Sequence, residues 1–250
     1  NKDEVPVNEL RKQCRVFASE WVNIQKREFK RLGIIGDWEN PYLTMDFKSE
    51  ATIASEFMKF IELGTIYQGS KPVMWSPVEK TALAEAEIEY KEYQSKTIWV
   101  KFPLTSNNLD NCSIVIWTTT PWTIPSNRAV AYNKKISYCL YEVTETESEC
   151  WLSKGELLIL AEKLASECFS QARVLNAKKI ESFKFEDFSN FKIKHPFADL
   201  HGSNEFWKYD VPIIDSSIVT EETGTGFVHM APSHGAEDYE EFLKRGWLDK

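Results

Sequence analysis

The sequence has no C-x-x-C pair and no apolar run near the ~18 residues of a membrane span. Nor does it have an excess of positive charge. Its five cysteines (Cys14, Cys112, Cys139, Cys150 and Cys168) are odd in number and widely spaced. That pattern argues against a zinc knuckle or a disulfide framework and fits reduced thiols in a cytoplasmic protein. Lys and Arg number 30 against 38 Asp and Glu, a net charge of −8. Broad, non-specific duplex binding needs cations to displace counterions, so it is a poor reading here. A narrow pocket for one end of a nucleic acid stays open. The start, "NKDEVPVNEL", lacks the apolar block of a signal peptide, and no membrane association is expected. The chain begins with Asn and both ends fall in mid-pattern, so it reads as a piece excised from a longer protein. Internal repeats and low-complexity tracts are missing too.

What is present is 250 residues, 42% hydrophobic and 13% aromatic, enough for one sizeable core or a core with an attached piece. Residues 8–32 read as a long amphipathic helix, with Leu10, Cys14, Phe17, Trp21 and Ile24 on one stripe and Gly33 at its end. A second helix is expected at about 49–63, striped by Ile53, Phe57, Phe60 and Ile61 and stopped by Gly64. From Ser95 onward the segments "KTIWVKFPL", "CSIVIWTTT", "RAVAYNKKISYCLYEV" and "VPIIDSSIVT" read as strands. One helix, at about 154–170 with Leu157, Ile159, Leu160 and Leu164, interrupts them. "GTGFVHMAPSHGAEDYEEFLKRG" reads as a strand, a broken loop and a closing helix ended by Gly246.

Several motifs invite chemistry. Gly224-Thr225-Gly226 is not a dinucleotide fingerprint, because Val228 and His229 stand where a third glycine and a helix start are needed. The glycines imply close backbone approach, by a ligand or a neighbouring strand. His229, His234 and Asp238 invite a metal reading, but with Pro232 and Gly235 between them the two histidines cannot share one helical face as in H-E-x-x-H, and no metal is expected. His195 and His201 lie in a polar, loop-like stretch that suggests nothing specific. Glu237 and Asp238 fall in the first turn of the closing helix, where the dipole and free N–H groups favour ionised carboxylates. Either they are ordinary first-turn acids, or one is an ionised carboxylate at a cleft, suited to an α-ammonium. Thr118, Thr119 and Thr120 continue the strand "SIVIW" until Pro121 ends it. They are either plain strand formers or hydroxyls at the mouth of a cleft.

Taken together, "WTTTPWTIPSNRAV" and, about a hundred residues later, "GTGFVHMAPSHGAEDYE" closely resemble the editing-domain signature of the isoleucyl-tRNA synthetases. Valyl and leucyl relatives carry Thr-Thr-Arg-Pro, whereas Thr120-Pro121-Trp122 stands here. "FKRLGIIGDWENPYLTMD" looks like the class I catalytic domain just before the editing insertion, and "KPVMWSPVEKTALAEAEIEY" like the segment linking the two. The resemblance covers essentially the whole chain. Two departures matter. Ser76 and Glu79 stand where some relatives hold a zinc-binding cysteine pair. The activation signatures His-x-Gly-His and Lys-Met-Ser-Lys-Ser are absent.

The resemblance implies a mainly β fold with helices: a closed β-barrel editing domain at 95–250, a linking segment at 51–94, and a helical piece of the catalytic domain at 1–50. It implies hydrolysis of mischarged valyl-tRNA(Ile) to valine and free tRNA. By the same resemblance Asp238 would hold the α-ammonium. Thr118, Thr119 and Thr120 would bind the terminal adenosine or the attacking water and help exclude isoleucine. Trp122 would form a wall, His229 would contact the amino acid, and Asn127 would belong to the pocket. No cofactor is implied in this piece; ATP and magnesium belong to the parent's activation site. The implied partners are the acceptor end of tRNA(Ile), valine and the rest of the synthetase chain, in a cytoplasmic monomer. Two alternatives compete: a module that only binds a tRNA end or amino acid, and a valyl-type editor of threonine, which Thr120 in place of arginine disfavours.

Overall fold

A computed structural model of the protein describes residues 3–105, 109–183, 188, 191–200 and 205–248. His201 lies outside the described residues. The chain divides into two compact units, Asn1–Ser70 and Lys71–Lys250. The first holds α1 (Val7–Arg31) and α2 (Phe47–Glu62). Each ends where a glycine takes up positive φ, Gly33 at 80° and Gly64 at 70°, as helix C-termini favour. Arg15 joins the two helices, pairing with Glu50 at 2.6 Å and lying 4.8 Å over the Phe47 ring. Neither helix has a buried residue, and Phe17 and Phe60 of the two stripes are 62% and 54% exposed.

The second unit is mainly β. A short hairpin, β1 (Trp75–Ser76) and β2 (Thr81–Ala82), opens it. Then follow β3 (Ile98–Pro103), β4 (Cys112–Thr118), β5 (Ala129–Tyr132), β6 (Tyr138–Thr146), β7 (Leu157–Ala161), α3 (Ala165–Gln171) and β8 (Val174–Phe183). The chain continues with β9 (Ile193–Lys194), β10 (Asp210–Val211), β11 (Ile213–Asp215), β12 (Val228–Met230) and α4 (Ala236–Lys244). Five strands form one sheet in the order β3-β4-β7-β6-β8, and three form another, β11-β5-β12. Only β4–β7 and β11–β5 pair in parallel within these sheets. Among the described residues no helix is long and apolar enough to cross a membrane.

The helix expected at 154–170 is a correction. "LLILA" is the central strand β7, between β4 and β6, and the helix starts only at Ala165. A central strand covered on both faces shows a continuous apolar run rather than alternation, and periodicity cannot tell that from a buried helix. Strand β8 was not expected at all. It is an edge strand, largely exposed, with Lys178 and Lys179 on it and register shifts against β6, features that keep an edge from pairing further. The main core is built from inner residues of the five-stranded sheet, Phe102, Ile114, Ile116, Tyr138, Ile159 and Leu160, with Phe188 and Phe227 packed on Tyr138, all essentially inaccessible.

The two glycines before β12 explain how the two sheets meet. Ala161 N–H at the end of β7 donates to Thr225 O at 2.9 Å, and Tyr138 Oη donates to Gly226 O at 2.7 Å. Gly226 has φ +84°, and a Cβ there would lie 2.3 Å from Ala161 Cβ. The close approach at Gly226 is therefore to a neighbouring strand. Gly224, at φ +85°, has room: its nearest neighbour is Trp117 Cε3 at 3.6 Å. Gly226→Ala is expected to destabilise the fold by about 2–4 kcal/mol, from overpacking added to a left-handed backbone. Gly224→Ala should cost only the backbone part, about 1–2 kcal/mol. Urea denaturation of both variants beside the parent chain measures the difference; equal losses would mean that contact with Ala161 does not decide it.

Candidate functional site

The threonine run leaves the sheet earlier than its residue types suggest. β4 ends at Thr118, and Thr119 and Thr120 bend away to a 3-10 helix, Pro121–Ser126. The hydroxyls explain the break. Thr118 Oγ1 accepts the Thr120 N–H at 3.1 Å and lies 3.2 Å from Thr120 Oγ1, a local alternative to ladder bonding that Thr offers readily. Thr123, one turn into the 3-10 helix, donates its hydroxyl to Thr120 O at 2.8 Å. Thr119 is exposed, and its carbonyl accepts from Ser95 Oγ at 2.7 Å.

This network ends on a buried imidazole. His229, in β12, is 8% exposed. Its Nε2 is 2.7 Å from Thr123 Oγ1, and its Nδ1 is 3.1 Å from Asn127 Nδ2. The directions follow by elimination. A carbonyl only accepts, so the contact of Asn127 Nδ2 with Ala129 O at 2.8 Å fixes which end of the amide is nitrogen. Asn127 then donates its second N–H to His229 Nδ1, and the ring proton must sit on Nε2, donating to Thr123. Burial disfavours the imidazolium and holds the His229 pKa down at about 4, with His195 and His234 adding repulsion. At neutral pH His229 is thus an uncharged ring of one tautomer. Asn127 is fully buried, and its Oδ1 has no hydrogen-bond partner among the described residues.

A second layer holds the 3-10 helix from behind. The carbonyls at its end are claimed by ring donors: Ile124 O by His195 Nε2 at 2.9 Å, Pro125 O by Trp207 Nε1 at 2.9 Å, and Asn127 O by Tyr209 Oη. His195 is fully buried, accepts the Phe197 N–H on Nδ1 at 3.1 Å and stacks on Trp207. It therefore corrects the sequence reading, which placed it in a polar loop without a role. Short helices leave most of their last carbonyls unpaired; Ile124 O also accepts the Asn127 N–H at 3.0 Å, and Trp207 and Tyr209 supply donors to the carbonyls of Pro125 and Asn127.

A cleft of about 270 Å³ opens beside the network, lined by Trp117, Thr118 and Thr119 on one side and by Val219, Gly224 and Val228 on the other. Of the residues expected at the site, Thr118 and Thr119 line it, while Thr120, Asn127 and His229 connect to Thr118 by hydrogen bonds. Trp122 is 63% exposed. Asp238 sits in the first turn of α4, its Oδ2 accepting the N–H of Ala231, two residues past His229, at 2.8 Å. Its pKa is raised, first by burial and also by Glu237, against the lowering effect of that N–H. Position in a first turn therefore does not settle its charge, because desolvation opposes the dipole.

No group of three or more His, Cys, Asp and Glu among the described residues is placed to hold a metal ion. Ser76 and Glu79 hydrogen-bond each other across the β1–β2 turn. All five cysteines are unpaired, and burial pushes Cys112 up to about 12. Sequence reasoning missed Thr123, Trp207 and Tyr209. Thr123 stood within the motif, spaced to turn back on Thr120, whereas nothing local marked Trp207 or Tyr209.

The family model described as tRNA synthetases class I (I, L, M and V) matches residues 1–242. Similar curated proteins include the isoleucine–tRNA ligase of Brucella abortus biovar 1 (strain 9-941), 52% identical over 100% of this chain and 25% of that protein. Another is that of Bradyrhizobium diazoefficiens, 51% identical over 97% of this chain and 24% of its own length. Similar solved structures include GlLeuRS-CP1, with a TM-score of 0.43 and 16% identity over 59% of this chain and 61% of that one. The P. knowlesi cytosolic leucyl-tRNA synthetase editing domain has a TM-score of 0.44 and 11% identity over 61% of this chain and 65% of that one.

The neutral His229 has a measurable consequence. Its folded pKa, about 4, lies below the ordinary value near 6.5. Between those values the unfolded chain takes up a proton that the folded chain refuses. The stabilisation is full above pH 6.5 and drains away as pH falls to 4, by about 3 kcal/mol. The raised pKa of Asp238 gives a slope of opposite sign, so the difference between parent and His229→Gln isolates the histidine. Denaturant titrations from pH 7 to pH 4 should show the flatter profile in His229→Gln; parallel profiles would place a charged imidazole there.

Proposed function

The chain belongs to the class I tRNA synthetases of the isoleucine, leucine, methionine and valine group, and from that premise we propose that it is the editing part of an isoleucine-type enzyme. It spans about a quarter of the length of the curated relatives it matches. On this reading residues 95–250 hydrolyse valyl-tRNA(Ile), residues 1–50 belong to the catalytic domain, and 51–94 link them. The two sheets, joined through Thr225 and Gly226, would be parts of a closed barrel. The protein would work as a cytoplasmic monomer, with the rest of the synthetase chain and the tRNA acceptor end as partners.

The physical need is one of discrimination. A missing methylene in an apolar pocket is worth only ~1–3 kcal/mol, a magnitude established on enzymes of this very kind rather than derived from this chain. A synthetic site for isoleucine therefore passes some valine, and a second site must remove it. In that reaction a water oxygen adds to the ester carbonyl, the bond to the ribose oxygen breaks, and the ribose oxygen takes a proton. No ATP or magnesium is consumed in it.

The observation that carries the reading is the neutral, single-tautomer network at the cleft. His229 is a poor base at neutral pH, and both its ring nitrogens are already engaged. The proposed chemistry is therefore positioning and electrostatics, with a substrate hydroxyl relaying the proton. Thr118, Thr119 and Thr120 hold the terminal adenosine or the water, Asp238 holds the α-ammonium, and His229 limits the size of the side chain. Asn127 fixes that ring, and Trp122 forms a wall.

Valine release from valyl-tRNA(Ile) tests this. Asp238→Ala should lower the rate on the order of 10²-fold or more with the fold intact. Thr120→Ala should admit isoleucyl-tRNA as a substrate. A folded parent chain that binds the tRNA end without releasing valine would make this a binding module instead. Retained hydrolysis in Asp238→Ala would remove that residue from the mechanism.

A further inference from the structure

A second recess, of about 220 Å³, adjoins the threonine cleft and shares Trp117, Thr223 and Gly224 with it. Its floor is a pair of indoles. Trp99 and Trp117 face each other across β3 and β4, with centroids 6.5 Å apart and ring planes at 50°. Both are only half-buried, so their outer surfaces are open to a ligand. The wall is pinned by Cys168, whose thiol donates to Gly224 O at 3.1 Å. Gly224 also leaves free the space over the Trp117 ring that a side chain would take. On the rim stand Glu167 and Gln171 of α3, four residues apart and so on one face of the helix. Both are exposed and have no side-chain hydrogen bond or ion pair among the described residues.

We propose that this recess is a nucleobase subsite, and that it takes the penultimate cytosine of the tRNA strand whose terminal adenosine enters the threonine cleft. The proposal rests on the editing reading and extends it to the next nucleotide. Continuity selects the occupant: the two cavities share Trp117, Thr223 and Gly224, so the nucleotide next to one seated in the threonine cleft is within reach of this recess. Chemistry then selects the base. Unstacked bases are held on aromatic faces, each contributing about 1–3 kcal/mol. An acceptor-only carboxylate repels a phosphate but accepts from the exocyclic amine of cytosine. Uracil presents an acceptor at the same place, so Glu167 discriminates between the pyrimidines. The Gln171 amide both donates and accepts, and can meet the remaining ring edge.

The test is binding of the trinucleotides CCA and CUA to the folded chain, followed by calorimetry or competition, beside valine release from valyl-tRNA. The parent chain should bind CCA about tenfold more tightly than CUA. Glu167→Ala, a surface change, should bring the two within about twofold. Trp99→Leu should weaken both about tenfold, and circular dichroism shows whether it folds. On valyl-tRNA, Glu167→Ala should raise KM and leave kcat alone. Equal affinity of the parent for CCA and CUA, an unchanged preference in Glu167→Ala, or no saturable CCA binding at millimolar strand overturns the subsite. Valine release with any of those outcomes sinks the subsite alone. A clear CCA preference without valine release sinks the hydrolysis and keeps the subsite.

Discussion

A buried imidazole with no counter-ion must be neutral, and a neutral imidazole must choose which nitrogen keeps its proton. In this protein that choice is made by Asn127, whose amide is itself oriented by Ala129 O. The direction of every neighbouring bond follows. His229 donates to Thr123, Thr123 donates to Thr120 O, and Thr118 accepts from the Thr120 backbone. The ladder ends at Thr118 because the hydroxyls satisfy locally what the sheet would have satisfied next. One amide, fully buried, thus sets the polarity of the segment that lines the cleft.

Such a network is only as exact as its frame. Thr123 and Asn127 lie in or beside a short 3-10 helix containing Pro125, which donates nothing and cannot stiffen it by hydrogen bonding. Rigidity comes from outside, through the donors of His195, Trp207 and Tyr209 on the carbonyls behind it. On the other side Gly226 lets the segment before β12 press against β7. β12 carries His229, so the close approach that joins the sheets also brings the imidazole to the threonines. Fold and site share the same few contacts.

This explains what the sequence could and could not disclose. Helices such as Val7–Arg31 and Phe47–Glu62 were legible because their stripes and terminal glycines are local. β7 was not, because a strand buried on both faces carries no alternation. β8 was missed for the opposite reason: as an exposed edge strand it buries too little to show a period. At the site, Thr118, Thr120, Asn127 and His229 were legible only as a paired motif about a hundred residues apart. His195 illustrates the limit most plainly. In sequence it stands between Lys194 and Pro196 in a stretch that reads as a loop, yet the chain folds it to complete burial against Ile124 O. Whether a histidine is a surface residue or a buried brace depends on partners seventy residues away, and no local pattern encodes them.

On the editing reading, Asp238 would let the site prefer a cation without keeping one of its own. Burial raises its pKa, while Ala231 N–H and the start of α4 pull the other way. An ionised form there comes at a cost, with no cationic side chain within salt-bridge distance among the described residues; Lys244 and Arg245 of the same region are engaged by Glu241 instead. An incoming ammonium would supply the missing compensation, and it would do so more strongly there than in water because the surroundings are less polar. On the editing reading, the α-ammonium of the mischarged amino acid is that cation. The energy gained on compensating a buried carboxylate would then fix the ester next to hydroxyls whose directions Asn127 has already set. A strong base at His229 would need a charged state that this pocket refuses, so on that reading the division of labour would follow from burial: the carboxylate would bind, the neutral network would align, and the substrate's own hydroxyl would move the proton.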